Sequence, residues 1–235
     1  MSAPQQLTDL TSKPLALAAV LWDLDGTLVD TEPYWIAAEY RLVESFGGEW
    51  NDTHAHALVG NPLLVSAEYI RQHGGVDLSP EEIVQRLLDE VVIQTRQHTS
   101  WMPGARSLLA ELAAAEVPCA MVTMSYQSLA RAVADQLPDG TFQTLVTGDQ
   151  LANGKPHPEA YLTAAARLGV DPAACVAIED SPTGVASAEA AGCTVLAIPN
   201  QVEIPPAPTR TIAPTLAGLT IADLAALVAD RPRRG

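Results

Sequence analysis

Between residues 117 and 198 the chain repeats one scheme. Short apolar runs (VPCAMVT, FQTLVT, ACVAIED and CTVLAI) alternate with stretches of helical spacing. Strands without polar alternation are buried on both faces, and strands separated by helices pair in parallel. The expectation is an α/β fold with a doubly wound, parallel, Rossmann-like sheet. Its first strand lies upstream, in an unbroken apolar run over residues 16–22.

Residues 31–102 carry no strand signal. EPYWIAAEYRLVESFGG has apolar residues at helical spacing, Pro33 near its start and Gly47-Gly48 as a stop. NPLLVSAEYIRQHGG repeats this with Gly74-Gly75. SPEEIVQRLLDEVVIQTRQH opens with Ser79 as N-cap, Pro80 at the first helical position and Glu82 as the reciprocal capping partner. The expected division is a loose tail over residues 1–14, a core built from 15–30 and 103–235, and an all-helical cap domain, 31–102, inserted after the first strand. IPPAP reads as a loop and residues 221–228 as the last helix.

The formal net charge is −15, from 13 basic and 28 acidic residues. So acidic a surface repels phosphate backbones and anionic lipids, which argues against nucleic acid and membranes as partners. The three cysteines, Cys119, Cys175 and Cys193, lie in or beside apolar runs and lack metal-site spacing. They read as reduced, buried residues of a cytoplasmic protein. LALAAVLW is too short to span a bilayer and has no cleavage site behind it, so no targeting segment is expected. Lysine occurs only at Lys13 and Lys155.

In an open parallel sheet, function collects at the carboxyl ends of the strands. The first strand delivers Asp23 and Asp25 there, two apart and so on one face. The second delivers Thr123, then Met124 and Ser125. The third leads to Lys155, and the fourth ends on Glu179 and Asp180. Each has a plain alternative: an Asp-Gly turn, a satisfied strand-end hydroxyl, a pair of acids at a helix start. Together they describe a site. Clustered carboxylates repel, and a hard divalent cation relieves them. Mg²⁺ suits oxygen donors and commonly pairs one or two carboxylates with a substrate phosphate.

At these residues the chain resembles the haloacid dehalogenase superfamily. WDLDGTLVD, Thr123, GKPHPEAY and IEDSPTGVASAEAAG are similar to its four motifs and stand in its order. Trp22 stands where phenylalanine is usual. The position of the helical insertion matches the type-one cap of the branch with β-phosphoglucomutase and sugar-phosphate phosphatases. The resemblance implies Asp23 as nucleophile toward phosphorus and Asp25 as general acid, then base. It implies Mg²⁺ held by the Asp23 carboxylate, the Asp25 carbonyl and Asp180, with Glu179 in an outer position or as a further ligand. It implies phosphoryl binding by Thr123, the Met124 N–H and Lys155.

The expected enzyme is thus a phosphatase, expected to act as a monomer on a small phosphorylated metabolite. Asp25 speaks against dehalogenation, where a halide leaves without a proton. The absence of lysine between Asp30 and Lys155 speaks against phosphonate cleavage through a Schiff base. A receiver-like signalling module would carry its phosphorylated aspartate after the third strand and lack a cap. The rival reading is a phosphosugar mutase. The mutase has a histidine where this chain has Trp35, an arginine near Leu63 and a basic residue at Tyr126. Trp35 itself either packs within the helical layer or lines the substrate pocket.

Overall fold

The computed structural model describes residues 17–58 and 61–230. The tail expected over residues 1–14 lies outside them. A six-stranded, wholly parallel sheet forms the centre. Its strands are β1 (Ala19–Trp22), β2 (Cys119–Val122), β3 (Thr144–Val146), β4 (Cys175–Glu179), β5 (Thr194–Ala197) and β6 (Arg210–Ile212). They lie in the order β3-β2-β1-β4-β5-β6, so the winding reverses between β1 and β4.

The helices are α1 (Glu32–Ser45), α2 (Asp52–His56), α3 (Leu63–Gly74), α4 (Pro80–Gln97), α5 (Ala105–Ala114), α6 (Gln127–Ala134), α7 (Glu159–Leu168), α8 (Pro182–Ala191) and α9 (Ile221–Ala229). No helix among the described residues is long and apolar enough to cross a membrane. The all-helical insertion follows β1, as the sequence predicts. The Ser79–Glu82 capping box that opens α4 forms in both directions. All three cysteines are buried, and none is in a disulfide among the described residues.

The two faces of the sheet are unlike. Trp22, Met121, Ile178 and Leu196 project into a large core shared with α5, α6, α9 and the inserted helices. Ala19, Ala120, Ala177 and Ala197 face the other way, toward α7 and α8. Those helices answer with Ala160, Ala164, Ala188 and Ala191. Small residues on both sides let α7 and α8 lie close to the strands.

The insertion joins the core through a paired stem. Val29 bridges Trp101, Asp30 N–H donates to Ser100 O at 2.8 Å, and Met102 N–H donates to Leu28 O at 2.9 Å. Helix α4 also rests on α6, where Gln136 Nε2 donates to Thr95 O and accepts Thr99 Oγ1 on its own carbonyl.

Two elements were not foreseen. Helix α2 is five residues long, too short to show a period. Its start is fixed by Asn51, whose side chain accepts the His54 N–H. Strand β6 follows the proline-rich loop that the sequence marks, and it is half exposed. A side-chain fork pins it: Arg210 Nε and Nη2 donate to Glu189 Oε1 and Oε2 of α8 at 2.8 and 2.7 Å. This two-point geometry is specific to arginine. Replacing Arg210 with Met should lower stability by about 1.5–3 kcal/mol, the range for hydrogen bonds to a charged group. Urea denaturation checks it, and an unchanged midpoint would show that the fork contributes nothing.

Candidate active site

The strand ends converge as the sequence order predicts. Asp23 continues β1, its N–H donating to Ile178 O at 3.0 Å. The chain then turns sharply. Gly26 and Leu28 N–H groups close the turn onto Val29 O and Leu24 O. Gly26 has φ +84°, and a Cβ there would sit 2.0 Å from Asp180 Oδ2. Glycine is therefore required twice over, by backbone conformation and by the approach of the carboxylate. The Asp25 side chain is held by three hydroxyls: Thr31 donates to Oδ1, and Thr123 and Ser125 donate to Oδ2 at 3.1 and 2.7 Å.

Lys155 lies at the centre, almost fully buried. Its ammonium donates to Asp23 Oδ1 at 2.7 Å, Val122 O at 2.9 Å and Glu179 Oε1 at 2.6 Å. An ammonium has three protons, and all three are used. Burial opposes the charge on Lys155, but Asp23 and Glu179 outweigh it and hold the pKa above the ordinary lysine value. The Lys155 N–H meets the Met124 sulfur at 3.3 Å, which fixes the loop against the end of β2.

Glu179 is completely buried. Besides Lys155 it accepts Tyr161 Oη on Oε1 at 2.6 Å and Ser181 Oγ on Oε2 at 3.2 Å. Tyr161 is kept protonated, its pKa raised by burial and by Glu179. A Cβ at Gly184 would collide with the Glu179 carboxyl at 2.0 Å. The close seat of α7 and α8 on the alanine face therefore brings both Tyr161 and the bare Gly184 backbone against Glu179.

Asp23, Asp25, Thr123, Met124, Lys155, Asp180 and Trp35 all line one cavity of about 350 Å³. Glu179 lies beneath it. Asp23, Glu179 and Asp180 each offer a carboxylate oxygen within 4.8 Å of the others. Burial pushes Asp23 up to about 7, with Glu179 and Asp25 adding to the rise and Lys155 opposing it. Burial, then Asp23 and Glu179, push Asp180 up to about 9. Asp23 Oδ2 is buried and has no hydrogen-bond partner among the described residues. One lysine cannot balance this group of acids. A hard, oxygen-seeking cation fits it: the donors are carboxylates, and one of their oxygens is left over.

The sequence profile of haloacid dehalogenase-like hydrolases matches residues 17–192. The chain belongs to the haloacid dehalogenase-like hydrolase family. Hexitol phosphatase B of Escherichia coli strain K12 is 30% identical over 195 residues, covering 80% of this chain and 86% of that protein. The phosphorylated carbohydrates phosphatase of Thermotoga maritima is 32% identical over 177 residues, covering 75% and 82%. The crystal structure of CbbY from Rhodobacter sphaeroides in complex with phosphate has a TM-score of 0.81 at 25% identity, covering 88% of this chain and 99% of that one.

Several residues around the site of this haloacid dehalogenase-like hydrolase were not singled out from sequence. Thr31 joins Ser125, already placed at this strand end, in holding Asp25, and Tyr161 holds Glu179. Tyr161 ends one of the motifs that carry the resemblance and Thr31 directly follows another, so spacing could have flagged them. Asn200, just beyond β5, also lines the cavity; a fifth strand end belonged in the search.

The raised acids have a consequence for stability. A carboxyl whose folded pKa lies above its unfolded 3.8 stabilises the fold below that value and loses the contribution as pH rises through the folded pKa. The lysine contribution is constant in this range, because its folded pKa is higher still. In chelator, thermal stability should therefore fall from about pH 5 to about pH 8, and Mg²⁺ should restore it at the upper end. Asp180→Asn should flatten the slope. A melting temperature that holds steady or rises over this interval would contradict the assignment.

Proposed function

We propose that this hydrolase is a Mg²⁺-dependent phosphatase that cleaves small phosphate monoesters of the sugar or polyol type through an aspartyl-phosphate at Asp23. The observation that carries this is the Asp23 carboxylate, tied by one oxygen to a charged lysine at the floor of a cavity, with Asp25 held separately beside it. The relatives named above, phosphatases of hexitols and of phosphorylated carbohydrates, support the substrate class.

Asp23, Asp180 and the Asp25 carbonyl are the residues that would hold Mg²⁺. When bound, the ion supplies positive charge against phosphoryl oxygens. Glu179, saturated by Lys155, Tyr161 and Ser181, serves to position Lys155. The Asp23 carboxylate attacks phosphorus, the ester P–O bond breaks, and Asp25 gives its proton to the leaving alkoxide. Asp25 then takes a proton from water, which attacks the aspartyl-phosphate. Phosphate leaves and Asp23 is restored. Hydroxyl donors from Thr31, Thr123 and Ser125 orient Asp25 for both transfers. The Met124 N–H and Lys155 stabilise charge on the equatorial oxygens.

Water is the acceptor in this reading because the cap carries none of the groups a mutase needs there. Trp35 and Leu63 line the cavity where a histidine and an arginine would stand.

Phosphate release from a panel of monoesters tests the proposal. Chelator should abolish turnover and Mg²⁺ should restore it. Asp23→Asn should remove activity. Turnover by Asp23→Asn near the wild-type rate would refute the nucleophile.

Lys155 allows a separate check. Lys155→Ala should cost about 2–4 kcal/mol of transition-state stabilisation, the scale of one preorganised donor. Lys155→Arg should recover only part, since a planar fork cannot meet three acceptors spaced around an ammonium. Steady-state kinetics decide; an unchanged kcat/KM in a folded Ala variant would remove Lys155 from the mechanism.

A further inference from the structure

The upper part of the cavity is enclosed by inserted helices, and it is mostly apolar: Trp35, Leu58, Leu63, Val84 and Leu87 line it. Besides Glu32 and Asn61, two buried polar residues line it, Glu39 of α1 and Ser66 of α3. A pocket with few polar groups uses them to orient and select its ligand.

Glu39 is only 5% exposed. Its one hydrogen bond among the described residues is a long one, from Trp50 Nε1 to Oε2 at 3.3 Å. A buried carboxyl with a single weak partner is costly to keep. Burial pushes its pKa up to about 8, so at neutral pH it largely holds its proton and offers both a donor and an acceptor. A hydroxyl needs that same pair. Trp50 is itself clamped, stacked on the His54 ring at 4.8 Å and edge-on to Tyr69, so the carboxyl it touches is held in place. The Ser66 side chain forms no hydrogen bond among the described residues, although the residue is buried.

The charges in the same cavity say what the ligand lacks. Among the described lining residues Lys155 is the only basic one, and its three protons are committed at the floor. Glu32, on the same helix as Glu39, also faces the cavity and adds a further acid. A second phosphate or a carboxylate in the upper part would be desolvated without a counter-charge.

We propose that Glu39 and Ser66 read hydroxyl groups on a neutral polyol leaving group, and that this part of the cavity excludes substrates with a second anionic group. The proposal rests on the phosphatase reading of the site and adds its substrate discrimination. Glu39 is then a specificity-determining residue that touches the part of the substrate remote from phosphorus.

The test compares kcat/KM for sorbitol 6-phosphate, p-nitrophenyl phosphate and sorbitol 1,6-bisphosphate, with Mg²⁺ present. In Glu39→Leu the ratio of the sorbitol ester to the phenyl ester should fall about tenfold or more, as expected for one lost hydrogen bond to a buried group. Glu39→Gln keeps a donor and an acceptor, so its ratio should fall less. Ser66→Ala removes only a hydroxyl and should lower the ratio too; it carries the test if Glu39→Leu does not fold. In the wild type a second phosphate should reduce kcat/KM about tenfold or more. A ratio unchanged in all folded variants overturns the proposal, as does a bisphosphate turned over as well as the monophosphate. Wild-type protein that releases phosphate from none of these esters overturns the phosphatase reading, and this inference with it. A phosphatase whose variants lose both monoesters in parallel overturns the inference alone.

Discussion

The Lys155 ammonium, almost without solvent, is the contact on which the rest of the site depends. It reaches three separate pieces of backbone: the residue after β1, the last carbonyl of β2 and the last residue of β4. Neighbouring strands in a parallel sheet end level with one another, so one side chain can span all three ends only near the reversal of winding. The charge is stabilised there because two carboxylates face it; removing it would leave both buried without a partner. The acids nevertheless outnumber the lysine. That imbalance makes the site attract a cation, and it explains why Asp180 resists ionisation more strongly than Asp23, which touches the lysine.

The support for Lys155 begins well away from it, in the choice of alanine on one face of the sheet. Alanines on β1, β2, β4 and β5 meet alanines on α7 and α8, and the layers close up. From α7 Tyr161 reaches Glu179, and only a glycine at 184 leaves room for its carboxyl. The opposite face carries tryptophan, methionine and isoleucine and fills the thicker layer beneath the inserted helices. The α7 and α8 face mixes its alanines with Leu21, Val122 and Val195, and it is the side from which Tyr161 and Gly184 meet Glu179.

Much of this was legible in the residues. Strands buried on both faces read as unbroken apolar runs, so β1 to β5 were identifiable without knowledge of their neighbours. The polar residues behind those runs were legible for the same reason: charge directly after a buried strand must be held by something. What stayed hidden depends on partners distant in the chain. Strand β6 exists because Arg210 finds Glu189, and α2 is too short to be periodic. Glu39 looks like any helical glutamate until the fold buries it against Trp50. Trp35 could be assigned to core or pocket equally from sequence; the structure has it half-buried and lining the cavity. Thr123 lines the cavity as well, and only the structure reveals that its hydroxyl donates to Asp25 and accepts from the Ser125 N–H.

The stem at residues 29 and 101 has a further consequence. The chain leaves the sheet and returns to it at adjacent points, joined to each other by backbone hydrogen bonds. What lies between those points is a closed excursion, tied to the sheet only by this stem, by the seat of α4 on α6 and by the core they share. Helices could be added, shortened or exchanged there while the register of β1 with β2 and β4 stays as it is. Lineages descending from such a chain are free to revise which molecules they admit without reopening the question of how bonds are broken. A change of diet, in such an architecture, is a local edit.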